Sequence, residues 1–392
     1  MRKMWGKLMG RRRVAAGLLA AMIVAGCEGG LGPIVGGQGV NTDRPVTVAL
    51  LVPGGSGDQG RDVLAASLEN AARLAVADLQ GAQIDLRVYQ TAGDANRAAS
   101  VAQQAVDDGA QVILGPLFAD AARAVGQTVA PSGVNVLSFS NNPSAASRNV
   151  FLLGPMFENT ATRLMDFASA QGKGRIMLVA EQNQAGEVAT AAVRRAASRS
   201  AADLVAVQSY PFSQQGVVQA LPGITAQARS GNAQTILFTA GSEGALPLLA
   251  ELLPQNGLSP QTFQYAGLTR WDIPASTMQL SSLQGGWFAL PDPSLTRQFD
   301  ARYMGSYGQA PHPVGSLGYD AVAAVGALLR QGGSDALTAE RITQGSGFAG
   351  VTGVFRFRAD GSNERGLAIA EIRDGTSVVI SPAPRSFGGG GF

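Results

Sequence analysis

The chain has 392 residues, which is long enough for two domains of ordinary size with a core each. Its 30 basic and 28 acidic residues give a formal net charge of +2, and outside the N-terminus they form no basic cluster of the kind that binds nucleic acid. The single cysteine, Cys27, excludes an internal disulfide, and the single histidine, His312, argues against a zinc site.

The N-terminus has the pattern of a lipoprotein signal peptide over residues 1–26. Six cations precede an apolar stretch, Val14–Val24, which is too short to span a bilayer and leads through Ala-Gly to Cys27. In this pattern the cysteine is lipidated and becomes the first mature residue. Removing the six cations leaves 24 basic residues against 28 acidic ones, so the charge changes from +2 to −4.

Two glycine-rich segments flank the predicted fold. Residues 27–45 have no helix or strand period and are predicted to be a flexible, lipid-anchored tether. Residues 381–392 are of low complexity and are predicted to be a disordered tail. Glu28 after the cysteine favours the outer membrane, by resemblance to the sorting rule of Gram-negative lipoproteins, and places the chain on the periplasmic side of that envelope. The alternative is an ordinary secretory signal in which Cys27 is incidental.

Between these segments, apolar strands alternate with amphipathic helices. The first series has strands at Val46–Val52, Ile84–Tyr89, Gln111–Leu114 and Val134–Phe139, and helices at Val63–Leu79, Asn96–Asp107 and Ala119–Val129. After Val150–Leu153, the second series has helices at Glu158–Gln171, Gly186–Arg199, Val217–Arg229 and Gly244–Asn256, and strands at Arg175–Ala180, Leu204–Tyr210, Thr235–Thr239 and Phe263–Gly267. Strands separated by helices run parallel, so the pattern predicts an α/β protein with two lobes of related architecture.

The last third of the chain continues with strands and helices in a less regular order. The predicted elements are strands at Gly285–Ala289, Val354–Arg358, Leu367–Ile372 and Val378–Ile380, and helices at Thr296–Tyr307, Ser316–Arg330 and Thr338–Gly345. This order indicates that the chain returns from one lobe to the other more than once, and several crossings form a hinge.

The motifs of catalysis are weak. Gly55–Gly60 matches G-x-G-x-x-G directly after a strand, but the acid of a dinucleotide site belongs at the end of the second strand, whereas Asp78 lies in the first helix. No Gly-Lys-Ser/Thr completes a P-loop, and no G-x-S-x-G elbow supplies a serine for His312. The sequence predicts no catalytic residue, no cofactor and no bound metal, and an NAD- or FAD-binding enzyme is the third hypothesis.

Four stretches carry a family resemblance: residues 46–79, 85–125, GYDAVAAVGALL (Gly318–Leu329) and FAGVTGVFRFRADGSNERGLAIAEIRDG (Phe348–Gly375). In this order they resemble type I periplasmic solute-binding proteins of the leucine/isoleucine/valine class. The resemblance implies a two-lobed fold of that type, in which each lobe is a parallel sheet flanked by helices and the hinge has three crossovers. It places lobe 1 at residues 46–153 plus 272–330, and lobe 2 at residues 154–271 plus 331–380.

The same resemblance implies a ligand cleft between the lobes. Carried over by position, its candidate residues are Ser56, Gly57, Leu117, Phe118, Ser138, Ser140, Asn141, Gln182 and Trp271. Two motifs depart from the family pattern, because Ala119-Asp120 stands where a serine often follows Gly-Pro, and Ala185-Gly186 stands where Tyr-Gly is common. The alternative is a cleft whose polar residues only cap loops.

A lipid anchor together with an incomplete amino-acid clamp resembles the penicillin-binding protein activators, which are outer-membrane lipoproteins that stimulate a bifunctional peptidoglycan synthase. The first hypothesis is therefore a non-enzymatic, lipid-anchored periplasmic regulator of peptidoglycan synthesis, with that synthase as its partner. One departure is that the best-known activators carry a helical-repeat domain where this chain has a short tether. The alternative is a solute-binding lipoprotein that delivers an amino acid or amide to the permease of an ABC importer.

Overall fold

The computed structural model describes residues 39–387. The predicted signal peptide, Cys27 with residues 27–38 of the tether, and residues 388–392 of the tail lie outside this range. Within it, no helix combines the length and the apolar character that crossing a membrane requires.

Strands and helices alternate along the described chain. The strands are β1 (Val46–Val52), β2 (Ile84–Gln90), β3 (Val112–Leu114), β4 (Asn135–Ser138), β5 (Val150–Leu152), β6 (Arg175–Gln182), β7 (Asp203–Pro211), β8 (Thr235–Phe238), β9 (Gln264–Gly267), β10 (Trp287–Leu290), β11 (Phe348–Gly350), β12 (Gly353–Phe357), β13 (Asn363–Arg365), β14 (Ala368–Arg373) and β15 (Thr376–Ser381). The helices are α1 (Gln59–Asp78), α2 (Ala95–Asp107), α3 (Ala119–Val129), α4 (Phe157–Ala170), α5 (Gln184–Ala197), α6 (Gln214–Ser230), α7 (Leu246–Gln255), α8 (Pro293–Tyr307), α9 (Ser316–Gln331) and α10 (Ala339–Ile342). For every element predicted from the sequence, the predicted bounds agree with the observed ones to within four residues.

The first sheet has the order β2-β1-β3-β4-β5, and its strands are all parallel. In β1, Val48 and Leu50 face one core while Ala49 and Leu51 face the other, so both sides of the strand are buried. This explains why β1 has no polar residue other than Thr47, since a parallel sheet has helices on both faces.

The second sheet has the order β15-β14-β10-β9-β8-β6-β7. Strands β6 to β10 are parallel, whereas β14 and β15 join antiparallel at one edge. Apolar cores lie on both faces of this sheet, one around Trp271 and Tyr265 and the other around Leu164 and Leu178. The prediction of two α/β lobes is confirmed, with a mixed edge on the second sheet.

A third, antiparallel sheet of β11, β12 and β13 was not predicted. It packs against the first sheet and α9, where Phe348, Phe355 and Phe357 join the same core as Val48. We call the first and third sheets with α1–α3 and α8–α10 the first lobe, and the second sheet with α4–α7 the second lobe. The predicted lobe bounds need correction on this basis. Residues 272–290 lie with the second lobe, because Trp287 pairs with Ala266 and Glu371, and residues 331–365 lie with the first.

Within the described residues the chain passes between the lobes at three crossovers. They connect β5 to α4, β10 to α8, and β13 to β14. On the second-lobe side, Arg163 of α4 donates from Nε to the carbonyl of Leu367 at 2.8 Å, which joins the first crossover to the third. The predicted hinge of three crossovers is therefore present.

The described parts of both flanking segments pack against the fold. Val40, within the predicted tether, is only 8% exposed and donates its N–H to Ser334 at 2.9 Å. In the predicted tail, Ala383 is 9% exposed, and the Phe387 ring lies 4.7 Å from the Arg356 guanidinium. The prediction of disorder is wrong for residues 381–387, because apolar and cation–π contacts hold them against the fold.

Candidate ligand site between the lobes

A cavity of about 270 Å³ lies where the three crossovers meet, and both lobes line it. We call it the hinge cavity. Its apolar lining consists mainly of Met156, Phe157, Leu268, Ile273, Leu290, Pro291, Val314, Leu317 and Leu367. Small-molecule sites are concave and mostly apolar with a few polar groups, and this volume is near their lower limit. The hinge cavity thus has the size and character of a site for a small ligand.

The floor of the hinge cavity includes Thr352 and Arg365, which belong to a buried polar cluster with Asp320. Asp320 lies in α9 and accepts hydrogen bonds from Thr352 Oγ1 at 2.5 Å, from the N–H of Val351 at 2.8 Å and from Arg365 Nη1 at 3.3 Å. Gly350 makes this possible because a side chain there would collide with the Asp320 carboxylate. The cluster joins α9 to the third sheet beneath the cavity.

The same arginine fixes the first crossover. Arg365 donates from Nε and Nη2 to the carbonyl of Leu153 at 3.2 and 2.6 Å. Burial lowers the pKa of Arg365 and raises that of the Asp320 carboxyl, while each charge opposes the shift of the other. Either charge alone would be unfavourable in this buried position, so each group needs the other to stay ionised there.

Asn363 provides a second link at the hinge. Its Nδ2 donates to the carbonyls of Leu152 and Gly154, both at 2.8 Å, and its Oδ1 accepts from Nδ2 of Asn159 in α4 at 2.6 Å. The first two bonds lie within the first lobe and its crossover, whereas the third reaches the second lobe. The hinge is therefore held by directed side-chain bonds in addition to its backbone.

Arg270, which follows β9, is the cation that lines the cavity from the second lobe. Its Nε and Nη2 donate to the two carboxylate oxygens of Asp272 at 2.9 and 2.5 Å, and its side chain is 35% exposed. Asp300 in α8 of the first lobe lies within its electrostatic range. Burial raises the pKa of Asp300, and the positive charge of Arg270 opposes that rise.

Helices from opposite lobes begin at the cavity. The N-cap of α4 is Met156 and that of α9 is Gly315, and neither N-terminus has a side-chain hydrogen-bond cap. The N-terminal end of a helix carries a partial positive charge of about half an elementary charge. These two ends therefore add to the positive potential of Arg270.

The family profile of periplasmic binding proteins matches residues 45–377 of the chain. The chain belongs to the periplasmic binding protein family. No curated protein matches it.

Solved structures share the fold at low sequence identity. A putative branched-chain amino acid ABC transporter protein from Rhodospirillum rubrum has a TM-score of 0.73 and 19% identity, covering 86% of this chain and all of its own. An ABC transporter substrate-binding protein from Desulfitobacterium hafniense in complex with Leu has a TM-score of 0.62 and 18% identity, with coverage of 86% and 100%. A solute-binding protein from R. palustris in complex with benzoate has a TM-score of 0.56 and 17% identity, with coverage of 87% and 98%.

In this periplasmic binding protein, the predicted serines after β4 serve the local backbone. Ser138 is fully buried, donates to the carbonyl of Pro116 at 2.9 Å and accepts from the N–H of Ser140 at 3.2 Å. Ser140 accepts from the N–H of Asn142 at 3.2 Å and is 3% exposed. The prediction of Ser138 as a ligand residue is corrected, because its hydroxyl is enclosed and both its bonds lie within the lobe.

Three other predicted residues of the first lobe lie beside these serines. Asn141 is exposed. Leu117 packs partly against the core, and Phe118 is 38% exposed at the N-cap of α3. Their backbone position at the carboxyl ends of β3 and β4 is the edge where ligands of open α/β sheets bind. A role for Asn141 and Phe118 stays a prediction.

Ser56 and Gly57 lie in the exposed loop after β1. The N-terminus of α1 beyond them is already occupied by carboxylates, since Asp58 accepts from the N–H of Arg61 at 2.9 Å and Asp62 accepts from that of Gly55 at 3.1 Å. Two carboxylates at that position repel a phosphate group. This geometry argues against the dinucleotide hypothesis.

Gln182 lies at the carboxyl end of β6, apart from the lining of the hinge cavity. Its Nε2 donates to Ser209 Oγ at 3.2 Å, and together with Glu181 and Arg194 it lines an open groove of about 580 Å³ on the second lobe. None of the predicted cleft residues lines the hinge cavity, and Gln182 lines a separate groove on the second lobe.

Trp271 needs a correction. Its side chain is fully buried in the core of the second lobe, with ring centroids 6.3 Å from those of both Phe238 and Phe288. Gly267 and Gly286 make room for the indole, because a side chain at either position would collide with it. A residue enclosed in this way cannot contact a ligand in the cleft.

His312 takes part in local structure. Its Nδ1 accepts a hydrogen bond from the backbone N–H of Val314 at 3.3 Å, and the backbone N–H of His312 donates to Ser67 Oγ at 2.8 Å. Burial lowers the pKa of the imidazole. In the range 39–387 no three His, Cys, Asp or Glu side chains are grouped so that they could hold a metal ion.

The sequence patterns did not identify Arg270, Asp320, Asn363 and Arg365 as site residues. A signal for one of them was available, because Asp320 interrupts an otherwise apolar run of α9 and a charge in such a run requires a buried partner. The other three lie in loops or at strand ends, where polar residues are common.

Proposed function

We propose that this protein is a non-enzymatic solute receptor that delivers a small ligand to the permease of an ABC importer. The observation that supports this most is the hinge cavity, because its walls come from both lobes and from all three crossovers. A ligand there contacts both lobes at once, so its binding energy favours one lobe arrangement over others. A permease that binds this lobe arrangement in preference to others can distinguish the liganded receptor from the empty one.

This function is preferred to that of a penicillin-binding protein activator. Docking on a synthase does not require an enclosed cavity between the lobes, whereas solute capture does. All three structures compared above are named as ABC transporter proteins, and two of them hold Leu or benzoate. A small amino-acid-like or carboxylic solute is the corresponding ligand. The proposed location is the periplasmic side of the envelope, with a lipid anchor at Cys27.

Thermal-shift screening of amino acids, their amides and small carboxylic acids tests the proposal. A true ligand at a hundred times its dissociation constant should stabilise the fold by about 2.7 kcal/mol. Thr160→Phe is the site-blocking variant, because it adds a ring to a half-buried position of the cavity wall, and it should abolish that stabilisation. The proposal is wrong if no solute in the panel stabilises the protein and a deletion strain shows unchanged uptake of all of them.

A further inference from the structure

The charged side chains that line the hinge cavity are all positive. None of the described residues that line it carries a carboxylate, whereas Arg270 and Arg365 both line it. An ammonium group loses its hydration when it enters such a cavity, and this cost is large unless an acceptor of hydrogen bonds replaces the water. The lining offers an ammonium group only the hydroxyls of Thr160, Ser316 and Thr352 and no negative charge, and two arginines repel it, so the lining disfavours the ammonium end of an amino acid.

The two arginines are not equivalent. Arg365 uses Nε, Nη1 and Nη2 in bonds to Leu153, Thr352 and Asp320. In the described part of the chain, the side-chain bonds of Arg270 go only to Asp272 and leave its Nη1 without an acceptor. Arg270 is thus the lining cation that has donors available for a ligand.

We infer that the ligand of the hinge cavity is a compact apolar carboxylate that lacks an α-ammonium group, such as a short branched or aromatic acid. The inference rests on the proposed function, since it names the class of solute that the receptor takes. The carboxylate accepts hydrogen bonds from Nη1 of Arg270, and charge-assisted bonds of this kind are among the strong ones. The hydrocarbon part lies against Leu268, Leu290, Leu317 and Leu367, which are each at most 6% exposed.

The acids around Arg270 set a limit on this binding. Asp272 already pairs with the guanidinium, and Asp300 lies within its range. Both carboxylates compete with an anionic ligand, so Arg270 alone does not give the site a net positive charge. Neutralising Asp300 removes a negative charge that competes for Arg270, so it should strengthen binding of the acid. It removes no ligand contact, because Asp300 is not among the residues that line the cavity.

Calorimetric titration with three probes that share one hydrocarbon skeleton tests the inference. They are 4-methylpentanoate, leucine and 3-methylbutylamine, which carry respectively a carboxylate, both charged groups, and an ammonium. We expect 4-methylpentanoate to bind at least about tenfold more tightly than leucine, and the amine not to bind, since a hydrogen bond to a charged group is worth about 1.5–3 kcal/mol.

Three variants make the test specific to Arg270. Arg270→Gln should weaken binding of 4-methylpentanoate by about tenfold or more while changing that of the neutral 4-methylpentanamide much less, and Asp300→Asn should strengthen binding of the acid. Arg297→Gln, on the exposed face of α8, is the matched control and should leave both affinities unchanged. Circular dichroism melts establish that each variant is folded.

The outcomes separate the two proposals. Binding of leucine as tight as or tighter than that of 4-methylpentanoate overturns the inference and leaves the receptor function intact. An unchanged affinity for the acid in a folded Arg270→Gln variant also overturns it. Failure of these probes and of every solute in the wider panel removes the receptor function, and the inference with it.

Discussion

Arg365 and Asp320, which lie 45 residues apart in the sequence, form an ion pair with a distance of 3.3 Å beneath the hinge cavity. Their side chains are 6% and 0% exposed, so neither charge has water as an alternative partner. Three further acceptors or donors, the carbonyl of Leu153, the hydroxyl of Thr352 and the N–H of Val351, complete the cluster. The pair therefore connects the first crossover, α9 and the third sheet.

Asp320→Asn should destabilise the protein strongly. The amide keeps the shape of the carboxylate but removes its charge, which leaves the Arg365 guanidinium buried without compensation. Breaking a buried pair in this way costs about 3–5 kcal/mol of unfolding free energy, to be measured by urea denaturation. The control Arg73→Gln breaks the exposed pair with Glu69 and should cost at most about 1 kcal/mol. Equal losses in the two variants would contradict the role given to the buried pair.

Much of the fold could be predicted because its strands and helices are long and strongly patterned. The bounds of β1 were predicted to the residue, since an apolar run without breaks is typical of a strand covered on both faces. Helix α1 begins at Gln59, before the predicted Val63, because Asp58 caps it at the end of a glycine loop. Strands β5, β11 and β13 have three residues each and are too short to show a period.

The candidate site was harder to predict because it depends on tertiary contacts. The family resemblance places Trp271 in the cleft, but Gly267 and Gly286, which admit its ring to the core, give no local signal. Asp320 lies in the stretch GYDAVAAVGALL that carries the family resemblance, and its pairing with Arg365 depends on the packing of the third sheet on α9, which no local pattern shows. A cavity formed by three crossovers has no counterpart in any single stretch of sequence.

Trp271→Phe should lower stability and leave ligand affinity unchanged. The smaller ring leaves a void between Gly267 and Gly286, and large-to-small changes in a core cost about 1–4 kcal/mol depending on how far the site collapses. Urea denaturation measures the loss, and calorimetry on the folded variant measures affinity. Retained stability with lost affinity would restore Trp271 as a ligand residue.

Acid should remove a contribution to stability that comes from Glu364. Burial works to raise the pKa of this carboxyl, but hydrogen bonds from Arg356 and Arg358 outweigh it and hold the pKa below its ordinary value of 4.5. A depressed pKa in the folded state stabilises the protein above the unfolded value, and this contribution is lost as the pH falls through the folded one. The difference in unfolding free energy between the wild type and Glu364→Gln should be greatest near neutral pH and shrink below pH 4.5. A difference that does not change with pH would contradict this linkage.

Lipidation of Cys27 is a prediction from the sequence, since this residue lies outside the described range. Mass spectrometry of the protein from a Gram-negative host should find a mature chain that begins at Cys27 and carries acyl chains. An alkyne-tagged fatty acid should label the wild type and not the Cys27→Ser variant. A mature chain that begins elsewhere and takes up no label would show that the signal is an ordinary secretory one.

Phe118 tests whether the carboxyl edge of the first sheet also contacts the ligand. Its ring lies over Gly93, where a side chain would come within 2.9 Å of it, yet 38% of the residue is exposed to solvent. Because Phe118 is not among the residues that line the hinge cavity, Phe118→Ala should change both the unfolding free energy and the ligand affinity little, whereas a fivefold loss of affinity, about 1 kcal/mol, would show that the ligand also contacts this edge. Val379→Ala, which truncates a similarly exposed residue on the edge strand β15, is the control and should leave affinity unchanged. If Phe118→Ala binds as tightly as the wild type, the ligand is held within the hinge cavity without help from this edge.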